Sequence, residues 1–327
     1  MKPFSNRRSE TVAALGETAL LRAMRRWLGD VSPPPPYGMG DDCAVLKYAP
    51  GCILAKTDGV VLGRHFEAST PPDAAGAKLF KRNVSDIAAM GGKPRHALMH
   101  MLLAKNTTTK WLEQFYRGLA NCCRKYDVTL AGGGIAQAPD GVFAADLLMI
   151  GESGTKILTR AGAKIGDAIY VTGDLGGSIL GKHLHFTPRL AEGQWLARQA
   201  AVRGVIDVTD GLAKDLPEIL PTCADALLDI SALPISRAAR KLSKRDSRSA
   251  LLHALTDGED YELLFAVNGK NNLAAFEKRW RKAHATPLTR LGKIVAAIDK
   301  KHDHCLRDAA TNAPLLPSGA HGYEHLR

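Results

Sequence analysis

Apolar and polar positions along the chain change period several times, and each change marks an element. In residues 9–28, SETVAALGETALLRAMRRWL, Leu15, Ala19, Met24 and Leu28 recur near helical spacing and predict an N-terminal helix. The stretch VSPPPPYG (31–38) forbids regular structure, because four prolines cannot donate main-chain hydrogen bonds, and predicts a linker. Short apolar runs at 43–46, 52–55, 96–103 and 142–150 predict strands. Helical stretches at 73–90 and 109–126 lie between them, the first stopped by Gly91, Gly92 and Pro94. A second set follows at 168–173, 205–216, 226–230 and 261–267. GESGTK, small and charged, interrupts the pattern between the two sets and places a domain boundary near 150–160. The expectation is an α/β (α+β) protein with an N-terminal domain, 1–150, and a C-terminal domain, 151–327.

A chain of 327 residues, 45% hydrophobic and 24% charged, suits one large or two medium soluble domains. No apolar run approaches the roughly 18 to 20 residues that cross a bilayer, and MKPFSNRRSE has no apolar segment behind its charges. A cytoplasmic protein with no membrane partner is expected. The six cysteines lack metal-ligand or redox spacing and read as free thiols. A net charge of +11 is concentrated partly in SRAARKLSKRDSR (236–248) and EKRWRKAH (277–284). Neither cluster comes with an aromatic-interleaved or groove-reading motif, so they read as solvated helix faces rather than a nucleic-acid surface.

Chemistry concentrates where short strands run into acids beside glycines. GMGDDCAVL presents Asp41 and Asp42, AKTDGVV presents Thr57 and Asp58, and VIDVTDGL presents Asp207 and Asp210. NVSDIAAMGG places Asp86 inside a helix, where Arg82 at i−4 shares its face. TDGEDYELLF adds Asp257, Glu259 and Asp260 ahead of another strand. Any one Asp-Gly alone marks a turn, and an acid opening a helix alone marks a cap. Together, carboxylates at several strand ends supply the hard oxygen ligands that magnesium takes around nucleotide phosphates. LAGGGIAQAPDG (130–141) raises a separate question, since three glycines in a row suit either a phosphate cradle or a tight turn.

Taken in order, GDDCAVL, TDGVVLGRHF, NVSDIAAMG, LTRAGAKIGDAIYVTG, VIDVTDGL, GEDYELLF and the closing GYEHL resemble the thiamine-monophosphate kinase family. That family is part of the ATP-binding superfamily of aminoimidazole ribonucleotide synthetase. The resemblance covers about residues 38–326 and implies two α/β domains, with the N-terminal sheets of two subunits joined in a homodimer. It implies ATP-dependent phosphorylation of thiamine monophosphate to thiamine diphosphate, using several Mg2+ ions. Carried over motif by motif, the metal ligands are Asp42, Thr57, Asp58, Asp86, Asp207 and Asp210. ATP would meet Gly133, Gly134, Arg160 and Thr209, and the thiamine phosphate would meet His65 and Glu259.

Three positions depart from the family pattern. Gly134 stands where the family writes an aspartate on magnesium, and GGG lacks the Lys-Ser/Thr ending of a P-loop, so the stretch reads as an edited metal site. Lys56 replaces a common serine, adding a positive charge that is expected to neutralise phosphate directly. Ala320 stands where an aromatic residue packs on thiamine. These changes keep open a kinase for another small phosphate ester, or a nucleotide-binding protein without turnover.

Overall fold

The computed structural model describes residues 2–15, 17–32, 53–154, 156–299 and 304–316. The predicted strand at 43–46, the proline run and Ala320 lie outside the described residues. The chain divides into two units, one of Met1–Ile87 with Lys93–Ser153, the other of Ala88–Gly92 with Gly154–Arg327.

In the first unit, β1 (Ile53–Val61), β2 (Lys93–Ala104), β3 (Thr129–Ala138) and β4 (Phe143–Glu152) form a sheet in the order β1-β4-β2-β3. β4 is antiparallel to β1 and β2, while β2 and β3 run parallel through the helix Thr109–Tyr126, the kind of crossover that parallel neighbours need. Alternation decides the faces. Ala97, Met99, Met101 and Leu103 of β2 are buried, whereas Leu98 and Leu102 are half-buried and His100 is exposed. On the buried side the ring of Trp111 meets Phe143 edge-on at 4.7 Å, and Tyr116 reaches the Met101 sulfur at 3.3 Å. The helix Pro72–Ala89 packs closely on Thr109–Tyr126 because Gly76 and Gly118 have no Cβ. A methyl group at either would stand about 2 Å from the other helix's backbone, at Phe115 or Asp73.

In the second unit, β5 (Ala168–Thr172), β6 (Val202–Asp207), β7 (Ala224–Leu228), β8 (Leu263–Val267), β9 (Leu288–Ala296) and β10 (Leu306–Asp308) take the order β10-β7-β9-β5-β8-β6. All neighbours are antiparallel except β10 and β7. The central strands are buried on both faces, and two separate clusters use them. Ile169, Val171, Leu264 and Ala266 pack with Leu212, Leu216 and Leu255. Tyr170 and Phe265 pack with Phe276 and Trp280 of the helix Leu273–Ala283. That is why β5 and β8 read as continuous apolar runs.

The α/β character therefore holds. β3, β9 and β10 are strands beyond those expected. GGG is not a turn: it lies inside β3, with Gly132, Gly133 and Gly134 opposite Leu98, Met99 and His100. Among the described residues no helix is long and apolar enough to cross a membrane.

Candidate active site

In the first unit the candidate residues converge on one stripe of the helix Pro72–Ala89. Lys78, Arg82 and Asp86 recur at every fourth position and so share a face. Lys78, fully buried, donates to the His65 carbonyl at 2.6 Å. Arg82 pairs with Asp58 at 3.0 Å and also donates to the Gly59 carbonyl. Asn83 donates to the Asp58 carbonyl at 3.2 Å. Asp86 takes the Lys56 ammonium at 3.0 Å. The expected pairing of Arg82 with Asp86 along the helix thus meets a cross-element arrangement, in which the helix cation serves a strand acid and a strand cation serves the helix acid. Lys56 is thus held by a carboxylate.

His65 sits in the turn after β1, where its Nδ1 accepts the Val61 N–H at 2.9 Å. An accepting Nδ1 leaves the ring hydrogen on Nε2, which makes that nitrogen a donor suited to a phosphate oxygen. Thr57 neighbours Asp58 in β1, so alternation sends its side chain to the opposite face of the sheet. Gly133 and Gly134 lie in β3. Asp42 lies outside the described residues.

In the second unit, Asp207 ends β6 and is buried, and Thr209 and Asp210 follow it. The short helix Leu212–Asp215 begins after Gly211, so Asp210 precedes the helix rather than opening it. Asp215, which the motif reading passed over, holds this turn. Its Oδ2 accepts the Thr209 N–H at 2.9 Å and the Asp210 N–H at 3.0 Å. Lys214 pairs with Asp210 at 2.7 Å. The Glu259 N–H donates to the Thr209 carbonyl at 2.7 Å, which brings Asp207, Thr209, Asp210 and Glu259 into one neighbourhood. Arg160 lies apart from that turn in its contacts: its side chain is 61% exposed and pairs with Glu218 at 3.2 Å. The signal for Asp215 was present in DGLAKD, where an acid at the fourth position of the helix, 212–215, faces back on the turn before it.

Burial pushes the Asp215 carboxyl up to about 7, and the nearby charges of Asp207 and Asp210 push it further, against the pull of the two N–H groups. Between its ordinary 3.8 and about 7 the folded protein holds a proton that the unfolded chain has lost. Its contribution to stability is present below the lower value and is lost as pH rises through the upper one, at a slope approaching roughly 1.4 kcal/mol per pH unit. Urea midpoints measured without metal at several pH values from 5 to 8 should therefore fall with pH in the wild type and flatten in Asp215→Asn. Parallel curves for the two proteins would remove Asp215 from this account.

The donor set fits magnesium by its chemistry, being the hard oxygens of aspartate and threonine. Asp58, Asp86 and Asp210 are each held beside a cation that a divalent ion can replace, and the mutual repulsion at Asp207, Asp210 and Asp215 is the kind a divalent ion relieves. Among the described residues no three His, Cys, Asp or Glu side chains cluster tightly enough to hold a metal by themselves. Substrate phosphate and water would complete such a shell.

Residues 40–153 match the family model described as AIR synthase related protein, N-terminal domain. The chain is 35% identical to thiamine-monophosphate kinase of Rhodopirellula baltica, over 85% of this chain and 88% of the relative. The solved thiamine-monophosphate kinase of Stenotrophomonas maltophilia K279a superposes with a TM-score of 0.72 at 28% identity, covering 90% of this chain and 95% of the other. A solved structure of AaThiL complexed with AMPPCP and TMP gives a TM-score of 0.68 at 25% identity, over 90% and 94%. The chain belongs to the thiamine-monophosphate kinase family.

Proposed function

We propose that this protein transfers the γ-phosphoryl group of ATP to the phosphate of thiamine monophosphate, releasing ADP and thiamine diphosphate. The observation that carries the reading is the gathering of Asp207, Thr209, Asp210 and Glu259 by the Asp215 carboxylate and the 209–259 main-chain bond. The relatives' name and the complex with AMPPCP and TMP supply the two substrates.

In this reaction a phosphate oxygen of thiamine monophosphate forms a bond to the γ-phosphorus as the bond to the ADP oxygen breaks. A phosphate monoester is largely dianionic at neutral pH, so its attacking oxygen needs no base. The protein's task is to bring two anions together, which is a matter of cations and positioning. Magnesium ions, held by Asp42, Asp58, Asp86, Asp207, Asp210 and Thr57, would supply the positive charge. Arg160, Thr209, Gly133 and Gly134 serve ATP. The Nε2 of His65 donates to substrate phosphate, and Glu259, a carboxylate, suits the cationic thiazolium.

The protein acts in the cytoplasm as a homodimer. What supports the dimer is the outer face of the four-stranded sheet, where Ile53 is 53% exposed and Val61 37% exposed beside half-buried Leu98, Leu102 and Leu148. Gly134, which leaves β3 without a carboxylate, favours one second reading, a kinase for another small phosphate ester.

The deciding experiment incubates purified protein with ATP and magnesium, with and without thiamine monophosphate, and reads thiamine diphosphate directly. Product that depends on thiamine monophosphate is expected. Folded, ATP-binding protein that makes none would overturn the assignment, and turnover of another phosphate ester would replace it. Lys56→Ser gives a narrower check. Removing the ammonium takes a competing cation from the Asp86 carboxylate, and the half-saturating magnesium concentration should fall about two- to fivefold, the size of a partly exposed ion pair. An unchanged magnesium requirement would show that Lys56 has no part in the metal site.

A further inference from the structure

The loop that carries Glu259 has a backbone that ordinary side chains avoid. Glu259 and Tyr261 are both left-handed, with φ of 54° and 53°. Such strain persists only where the surroundings over-determine it, and here they do. Asp260 and Glu262, which alternate with them, are essentially fully buried. Both oxygens of Asp260 accept the Gly176 N–H at 3.0 Å. Glu262 takes two nitrogens of Arg189 at 2.7 and 2.8 Å, the Lys182 ammonium at 2.9 Å and the Thr172 hydroxyl at 2.7 Å. Between these anchors the ring of Tyr261 lies flat on Phe186, with centroids 3.7 Å apart and planes at 12°. Phe186 stands between Lys182 and Arg189 in sequence, so one short segment supplies the stack and both cations. The Tyr261 hydroxyl then donates back to Glu259 Oε1 at 3.2 Å.

We infer that Tyr261 is a positioning residue for the Glu259 carboxylate, its ring fixed by Phe186 and its backbone by the Arg189–Glu262 ion pair. The inference rests on the reading of Glu259 as a contact to thiamine monophosphate. A carboxylate on a loop can turn to several directions, and a hydroxyl from a buried, stacked ring selects one before substrate arrives. The effect of Tyr261 is on recognition of the substrate rather than on the transfer step.

Tyr261→Phe keeps the ring and the stack and removes only the hydroxyl. Both the KM and the calorimetric Kd for thiamine monophosphate should rise about tenfold, as for loss of a hydrogen bond to a charged group, with kcat changed less than about threefold and Tm unaltered. Glu259→Gln should raise KM at least as much, and the double variant should be no worse than Glu259→Gln alone, because the hydroxyl acts through that carboxylate. Full additivity in the double variant, or an unchanged KM in Tyr261→Phe while Glu259→Gln raises it, would overturn the positioning role and leave Glu259 as a substrate contact. An unchanged KM in Glu259→Gln would instead remove Glu259 from the substrate site, and the inference with it, while turnover by the wild type still stands as the measure of the activity.

Discussion

Asp207→Asn is expected to lower kcat by about 100- to 1,000-fold, the several kcal/mol that a metal-bound phosphoryl group draws from one anionic ligand. Asp207 is 5% exposed at the last position of β6, and its place is set by pairing with Leu263 of β8. A buried carboxylate there has a cost in the free protein, since its charge adds to the forces that push the Asp215 carboxyl upward. The amide keeps the shape and removes the charge. Tm without metal should therefore hold or rise while activity collapses, the reverse of what loss of a structural residue would do. Turnover at saturating ATP and thiamine monophosphate across a magnesium titration, beside a melting curve, reads both. A kcat within threefold of wild type would take Asp207 out of the metal site.

The largest expected effect on stability belongs to Gly133. A Cβ built there would lie 1.7 Å from the Met99 carbonyl oxygen and 2.7 Å from its carbon, across the β2–β3 register. Backbone in a central strand has no room to withdraw, so Gly133→Ala should cost about 3 kcal/mol, at the upper end of overpacking effects. The next residue differs. A Cβ at Gly134 meets only the His100 ring, at 3.1 Å, and His100 is exposed and free to turn. Gly134→Ala should stay within about 1 kcal/mol, and the loss of unfolded-state entropy favours it. Urea denaturation of the two variants gives the comparison. Equal losses would mean that the close approach of β3 to β2 is not what selects glycine at 133. The same geometry separates two meanings of GGG: Gly133 is demanded by packing, whereas Gly134 is the position where a side chain, an aspartate included, can be accommodated.

The helices Pro72–Ala89 and Thr109–Tyr126 were readable because each combines a long periodic stretch with a stop: Gly91, Gly92 and Pro94 after the first, and Asp127 in a left-handed conformation after the second. β5 and β8 were readable as apolar runs. β3 was not, because three glycines carry no strand propensity and the reason for them lies in β2, which local pattern does not reveal. β10, of three residues, is too short to show a period. For the candidate site, VIDVTDGL and GEDYELLF pointed to segments that the main chain does bring together. The partners were hidden. Nothing near Asp58 in sequence announces Arg82, and Arg189 is far along the chain from Glu262, since ion pairs across elements depend on the fold and not on spacing. Asp42 lies outside the described residues.

The second unit takes in Ala88–Gly92, a piece of chain laid down before most of the first unit's sheet. Within that unit the Met90 carbonyl accepts the Leu158 N–H at 3.1 Å, and the Gly92 carbonyl accepts from Gln194 at 3.0 Å. On the ribosome the later unit therefore cannot be finished from its own continuous stretch of message. It must return to a segment already synthesised, a contact of long sequence separation of the kind that slows folding. A gene cut at the boundary would yield a second half without part of its own interior, so an ancestral fusion of two independent modules would have needed this strap to be exchanged after they were joined.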